Sequence, residues 1–154
     1  MSTSGANHWG SRVLIAAFAA VCAPLLYRDV QVFDDLDERL FHLPTIQKFM
    51  AELPSPDLVD YPSATTPLYH LVMATAGLMI GGELADLRLV NLLLSIGALW
   101  AAIWAIGARG ALMALPLALS PYFIGPAVRL STDNAALLGV FLCIGLLSRD
   151  GSRP

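Results

Sequence analysis

Charged side chains are scarce in this sequence. They occupy 14% of 154 positions, where a typical soluble domain carries roughly 25%. Hydrophobic residues fill 56%, and mean hydropathy is +0.66. A water-soluble fold of this size cannot hide that much apolar surface, so the natural solvent of the chain is a bilayer. Cysteine is equally sparse. Cys22 and Cys143 both lie in apolar runs, with no Cys-x-x-Cys spacing and no nearby histidine, and read as small packing residues rather than a disulfide or zinc site. There is no basic cluster, which argues against nucleic acid as a partner.

Acids are missing from most of the chain. Ten of the twelve fall between Asp29 and Asp86, and only Asp133 and Asp150 lie beyond. One acidic, polar region is thus set between apolar parts. The expected fold is all-α: a polytopic membrane helical bundle of about four transmembrane helices, with amphipathic juxtamembrane helices in the first outer loop. Residues 1–8 are small and polar and read as disordered. Residues 12–28 form the first span, an uncleaved anchor, with Trp9 and Tyr27 at the interfaces. Residues 29–86 make the outer loop, and 87–107, 111–128 and 134–148 the further spans.

Within the loop, Leu36, Leu40, Leu43, Ile46, Met50 and Leu53 recur at spacings of three and four, the mark of a helix with one apolar stripe. This predicts an amphipathic helix, or two short ones broken at Pro44, on the membrane surface. Residues 54–67 are rich in Pro, Ser and Thr and read as irregular. Residues 68–82 are apolar but short for a span. Leaving them out of the membrane, with a cytoplasmic N-terminus, puts Arg12, Arg109, Arg149 and Arg153 inside against Arg88 and Arg129 outside, which obeys the positive-inside rule. An inverted five-span arrangement also satisfies it; the four-span one puts Asp133 on the side of the acidic loop.

The chemistry-bearing cluster is Asp34, Asp35, Asp37 and Glu38. Four carboxylates in five residues repel one another, so some must be paired, hydrated or metal-bound. In glycosyl transfer one carboxylate can deprotonate an acceptor hydroxyl as it attacks the anomeric carbon, and another can hold a divalent cation, Mg or Mn. The plainer reading is a solvated helix start, since acids favour helix N-termini.

The run DERLFHLPTIQKFM, followed by ATTPLYH, LRLVN and a Ser-Thr-Asp opening a late span, resembles the α-1,2-glucosyltransferase family that acts on lipid-linked oligosaccharide. More broadly it resembles the GT-C superfamily of polyprenyl-phosphate-sugar-dependent glycosyltransferases, in its N-terminal part. Arg39 and Leu40 separate Glu38 from Phe41 where the glucosyltransferases have one residue, and no Pro-Gly follows Thr-Thr-Pro. The superfamily level is therefore the one the resemblance supports. It implies catalytic roles for Asp37, Glu38 and Asp35, and substrate contacts for Asp133, Arg88, Arg129 and His42. Metal contacts fall to Asp35, Asp37 and Asp133. The implied partners are a polyprenyl-phosphate sugar donor, a glycan, lipid or protein acceptor, and membrane lipid. Arginine suits the lipid phosphate because its planar fork bonds two oxygens; interface anchoring, or pairing of Arg129 with Asp133 at i,i+4, is the simpler role. His42 and His70 read as interfacial or packing histidines, and Tyr69 and Tyr122 as interface aromatics.

Superfamily members are several times longer. The length therefore suggests an incomplete module, with a second chain supplying missing spans, or a truncated or split-gene subunit with no activity of its own. A transporter fragment fits less well, because the spans contain no acids. The expected location is a multi-pass place in a membrane, the plasma membrane if the source is prokaryotic.

Overall fold

A computed structural model describes residues 3–27, 36–63, 65–107 and 109–150. All regular structure among them is helical. Helix α1 (Thr3–Tyr27) is followed by a π-helical turn (Glu38–His42) that runs straight into α2 (Leu43–Glu52). Then come α3 (Pro67–Ile80), α4 (Leu84–Ile106), α5 (Gly110–Ala118), α6 (Pro121–Ala127) and α7 (Asp133–Asp150).

Two helical stretches are long and apolar enough to cross a membrane, Trp9–Leu26 and Leu84–Ile106, and the α5–α6 pair makes a third if its two arms count as one span. The first helix begins at Thr3, so the expectation of disorder over residues 1–8 does not hold from Thr3 onward. The expected span 111–128 is broken, its arms meeting at 76°. Pro121 explains the break: it has no N–H to extend α5, so it opens a new helix at its first turn, where Ser120 caps it by accepting from the Tyr122 N–H at 3.2 Å. The apolar part of α7, Asp133–Ser148, rises only about 24 Å at 1.5 Å per residue, against a hydrocarbon core of about 30 Å. Helix α3 is shorter still.

One core joins the long helices: Phe18 and Cys22 of α1, Leu92 and Leu99 of α4, Ala114 of α5 and Phe123 of α6, with the Phe18 and Phe123 rings 5.2 Å apart. Glycines let α4 and α7 approach closely. Gly97 faces Leu138, and Gly145 seats the ring of Trp104. From 97 to 104 and from 138 to 145 is the same step, so α7 runs parallel to α4. The α5–α6 pair must therefore carry the chain back to the end of the bundle where α4 begins.

A second core sits at that end, where Ile46 and Phe49 of α2, Tyr69 and Met73 of α3, Leu87 of α4 and Leu130 pack together. The expected apolar stripe is only partly the buried one. Ile46 is buried and Leu43, Met50 and Leu53 pack beside it, but Leu36 and Leu40 are exposed while Glu38, His42 and Thr45 are buried. The π turn is the reason. The Leu43 N–H bonds back to the Glu38 carbonyl, five residues away, which widens the helix just ahead of Pro44 and relieves the clash a proline makes with the carbonyl four residues before it. The extra residue in the turn shifts the face that points inward. The helix and part of its stripe match the expectation; the register does not.

Gly110 provides a test of the tight return into α5. A Cβ there would lie 2.2 Å from the Ile103 carbonyl oxygen, and backbone cannot move aside as a side chain can. Gly110→Ala is expected to lower stability by about 1–3 kcal/mol, the usual range for overpacking, in denaturant titration of the detergent-solubilised protein. An unchanged midpoint would show that the turn is looser than described.

Candidate functional site

The polar groups of the chain converge where the π turn, α3, the start of α4 and the α6–α7 turn meet. Glu38 is at the centre and only 1% exposed. Arg88 grips it with two nitrogens: Nε donates to Oε2 at 3.1 Å and Nη2 to Oε1. The Leu130 backbone N–H donates to the same Oε2 at 2.6 Å. A buried carboxylate is tolerable only when its charge is paired and its lone pairs are filled, and here both conditions are met. Three segments distant in sequence are held by one side chain.

A second network lies beneath it. The Tyr69 hydroxyl donates to Asn91 Oδ1 at 3.0 Å, and Asn91 Nδ2 donates to the carbonyls of Pro126 and Arg129, each at 2.6 Å. Asn134 Nδ2 donates to the Phe123 carbonyl and to Ser95 Oγ, both at 2.9 Å, and Ser95 donates to the Asn91 carbonyl. Breaking a helix in an apolar setting strands carbonyls that no water can reach. The two asparagines supply the missing donors for α6. Burial, foremost, raises the Tyr69 hydroxyl above its ordinary range, with the Glu38 charge adding to it and the Ser131 backbone opposing; the phenol stays protonated and donates.

The third element is a histidine pair. His42 Nδ1 and His70 Nε2 are 3.0 Å apart and both rings are buried. Tyr69, Tyr61 and Phe49 surround His70, at ring-centroid distances of 5.3, 6.3 and 6.4 Å.

The structure thus brings Glu38, Arg88, His42 and the Arg129 segment to one end of the bundle. It does not present them all to a substrate. Arg88, expected at a lipid phosphate, has Nε and Nη2 engaged by Glu38. Arg129 lies in the non-helical turn between α6 and α7, so helical i,i+4 pairing with Asp133 does not apply. Asp37 and Asp133 are exposed. Asp35, and Asp34 with it, lies outside the described residues. Among the described residues no group of three His, Cys, Asp or Glu side chains is placed to hold a metal ion, and no step is assigned to a cation. His42 and His70 are both buried and partnered with each other. Tyr69 is a buried hydrogen-bond donor and not an interface aromatic, whereas Tyr122 is 89% exposed. Asn91, Ser95 and Asn134 belong to the site without any expectation from the sequence; an amide inside an apolar run is the signal that marks them, since polar groups at membrane depth need partners. Comparison with protein-family models, curated proteins and solved structures finds no match to this chain.

Proposed function

We propose that this chain is a membrane glycosyltransferase module that moves a sugar from a polyprenyl-phosphate carrier to an acceptor hydroxyl at the outer membrane face. The observation that carries the reading is the contrast between adjacent acids. Glu38 is buried and clamped by Arg88 and Leu130, and Asp37, next to it, is exposed. A clamp of that kind holds an acidic turn against membrane helices and leaves one carboxylate facing outward at a defined place. A general base needs this: a carboxylate fixed by its neighbours and accessible to the proton it takes.

In the proposed reaction the acceptor oxygen attacks the anomeric carbon and Asp37 takes its proton. The bond from that carbon to the phosphate oxygen breaks, the polyprenyl phosphate leaves with the electron pair, and the configuration inverts. Glu38 holds position and takes no proton. Arg129, in the turn that Glu38 also grips through Leu130, and Asp133, at the start of α7, are the groups proposed to meet the donor. The test is consumption of a polyprenyl-phosphate sugar, with release of the polyprenyl phosphate, by the full chain in liposomes. No consumption across hexose and pentose donors would remove the proposal.

The reading also uses a four-span topology, with Glu38, Asp37 and Asp133 on one side. The parallel course of α4 and α7 supports it, since the broken α5–α6 pair then crosses and does not turn back. In a background carrying Cys22→Ala and Cys143→Ala, a membrane-impermeant thiol reagent is expected to label Ser55→Cys and Arg109→Cys from opposite sides. Both positions are exposed. Labelling from the same side would mean that α4 does not cross.

A further inference from the structure

The histidine pair is not used by the proposed mechanism, and its surroundings say what it can do. It ties the π turn, which carries Glu38 and adjoins Asp37, to α3. The rings are stacked, with centroids 5.2 Å apart, and a neutral pair holds together by one N–H donating to one lone pair. Either ring can supply that N–H, because the contact itself does not fix the tautomer.

We infer that the His42–His70 pair is an acid-released latch, closed at neutral pH and opened when the rings take up protons, loosening the seat of the π turn and α2 against α3. The inference does not depend on the glycosyltransferase reading. A first added proton places a charge in a site with no solvent around His70, which is 0% exposed. A second leaves two N–H groups facing each other with no acceptor between them. Opening lets water reach both rings and removes both penalties.

Among the described residues, few titratable groups surround His70. They are His42 on the π turn, Tyr61 on the loop before α3, Tyr69 on α3 itself and, four residues before His42, Glu38, whose charge is paired with Arg88 of α4. Burial first, and then His42, push the His70 ring from its ordinary 6.5 down to about 4, with the Thr66 backbone opposing weakly. The sign follows from proton counts. The closed form binds fewer protons than the open one, so its advantage is complete above about 6.5 and is lost as pH falls toward about 4. Across that window the open-to-closed ratio rises by up to about 300-fold, tenfold for each pH unit between the two values.

The latch can be read with two spin labels, on Gln47→Cys of α2 and Thr75→Cys of α3, both exposed positions, in the background lacking Cys22 and Cys143. The full chain is reconstituted in lipid nanodiscs and the inter-label distance is measured from pH 7.5 to 4. One narrow distance at pH 7.5 that gives way to a longer, broader population below about pH 5.5 is the expected result, and His70→Gln, which can hydrogen-bond but cannot charge in this range, is expected to remove the response. A distance that stays unchanged to pH 4 overturns the latch. The same acid response in His70→Gln overturns it too, by placing the sensor elsewhere, for example on Glu38. If His70→Gln is already disordered at pH 7.5, ring NMR of the wild-type protein decides: His70 titrating at 6.5 or above overturns the inference, and titration below 6.5 in step with the distance change sustains it.

Discussion

Asp37→Asn is expected to reduce sugar transfer by about 10²–10⁴-fold, the usual loss when a general base is removed, with membrane insertion and thermal stability unchanged. The substitution keeps the shape of the side chain and removes its ability to take a proton. Because Asp37 is exposed and Glu38 supplies the buried anchor, the loss belongs to the chemical step: kcat falls, and KM for the donor moves little. Asp133→Asn, at the exposed start of α7, is expected to raise KM more than it lowers kcat if the residue contacts substrate. The measurement is release of polyprenyl phosphate in liposomes at matched protein levels. Full activity in Asp37→Asn would mean that the acidic turn is a solvated helix start, and the mechanism would have to be dropped.

Glu38→Ala is expected to be the most damaging single substitution for stability, by about 3–5 kcal/mol. It removes the acceptor of two Arg88 nitrogens and of the Leu130 N–H, and leaves a guanidinium largely out of water with its main partner gone; the Arg88 side chain is only 19% exposed. Arg88→Met alone should cost a similar amount by stranding the carboxylate. The double variant Glu38→Leu/Arg88→Met should be milder than either single change, because an apolar pair of similar volume demands no charge compensation. Folding equilibria in mixed micelles test this directly. A Glu38→Ala cost below about 1 kcal/mol would show that the clamp is exposed to water and that the α6–α7 turn is held by other contacts. Activity in the double variant separates the two roles: a mild loss is expected if Glu38 only positions Asp37, and a complete one if Glu38 is itself the base.

The polar site was harder to read than the helices, and the particular residues show why. Glu38 is 50 residues from Arg88 and 92 from Leu130, and His42 is 28 from His70. Nothing local distinguishes Glu38 from Asp37. Both sit in one acidic run, and resemblance to known enzymes assigns the pair together. Which of them turns inward depends on one extra residue in the π turn and on where an arginine of α4 stands. The asparagines were invisible for a related reason. Their partners include backbone carbonyls of α6 and of the turn after it, at Phe123, Pro126 and Arg129, and the apolar run over residues 111–128 reads as one straight span unless Pro121 is taken as a new helix start.

What the amino-acid sequence determined by itself was the solvent and the local elements. Scarce charge and long apolar runs select a bilayer; Leu84–Ile106 is apolar and long enough to cross, and as a helix it satisfies its own backbone hydrogen bonds. Ten of the twelve acids fall between Asp29 and Asp86 by the same logic, since carboxylates do not enter hydrocarbon unpaired. Tertiary structure decided everything that depends on separate segments meeting: the burial of Glu38, the engagement of Arg88, the His42–His70 contact, the capping of α6 by Asn91 and Asn134, and the parallel course of α4 and α7. Hydropathy and helical periodicity are sums over neighbours in the chain and report how each segment meets its solvent. An ion pair or a side-chain cap is a contact between groups brought within about 3 Å by the whole fold, and no local sum contains that distance.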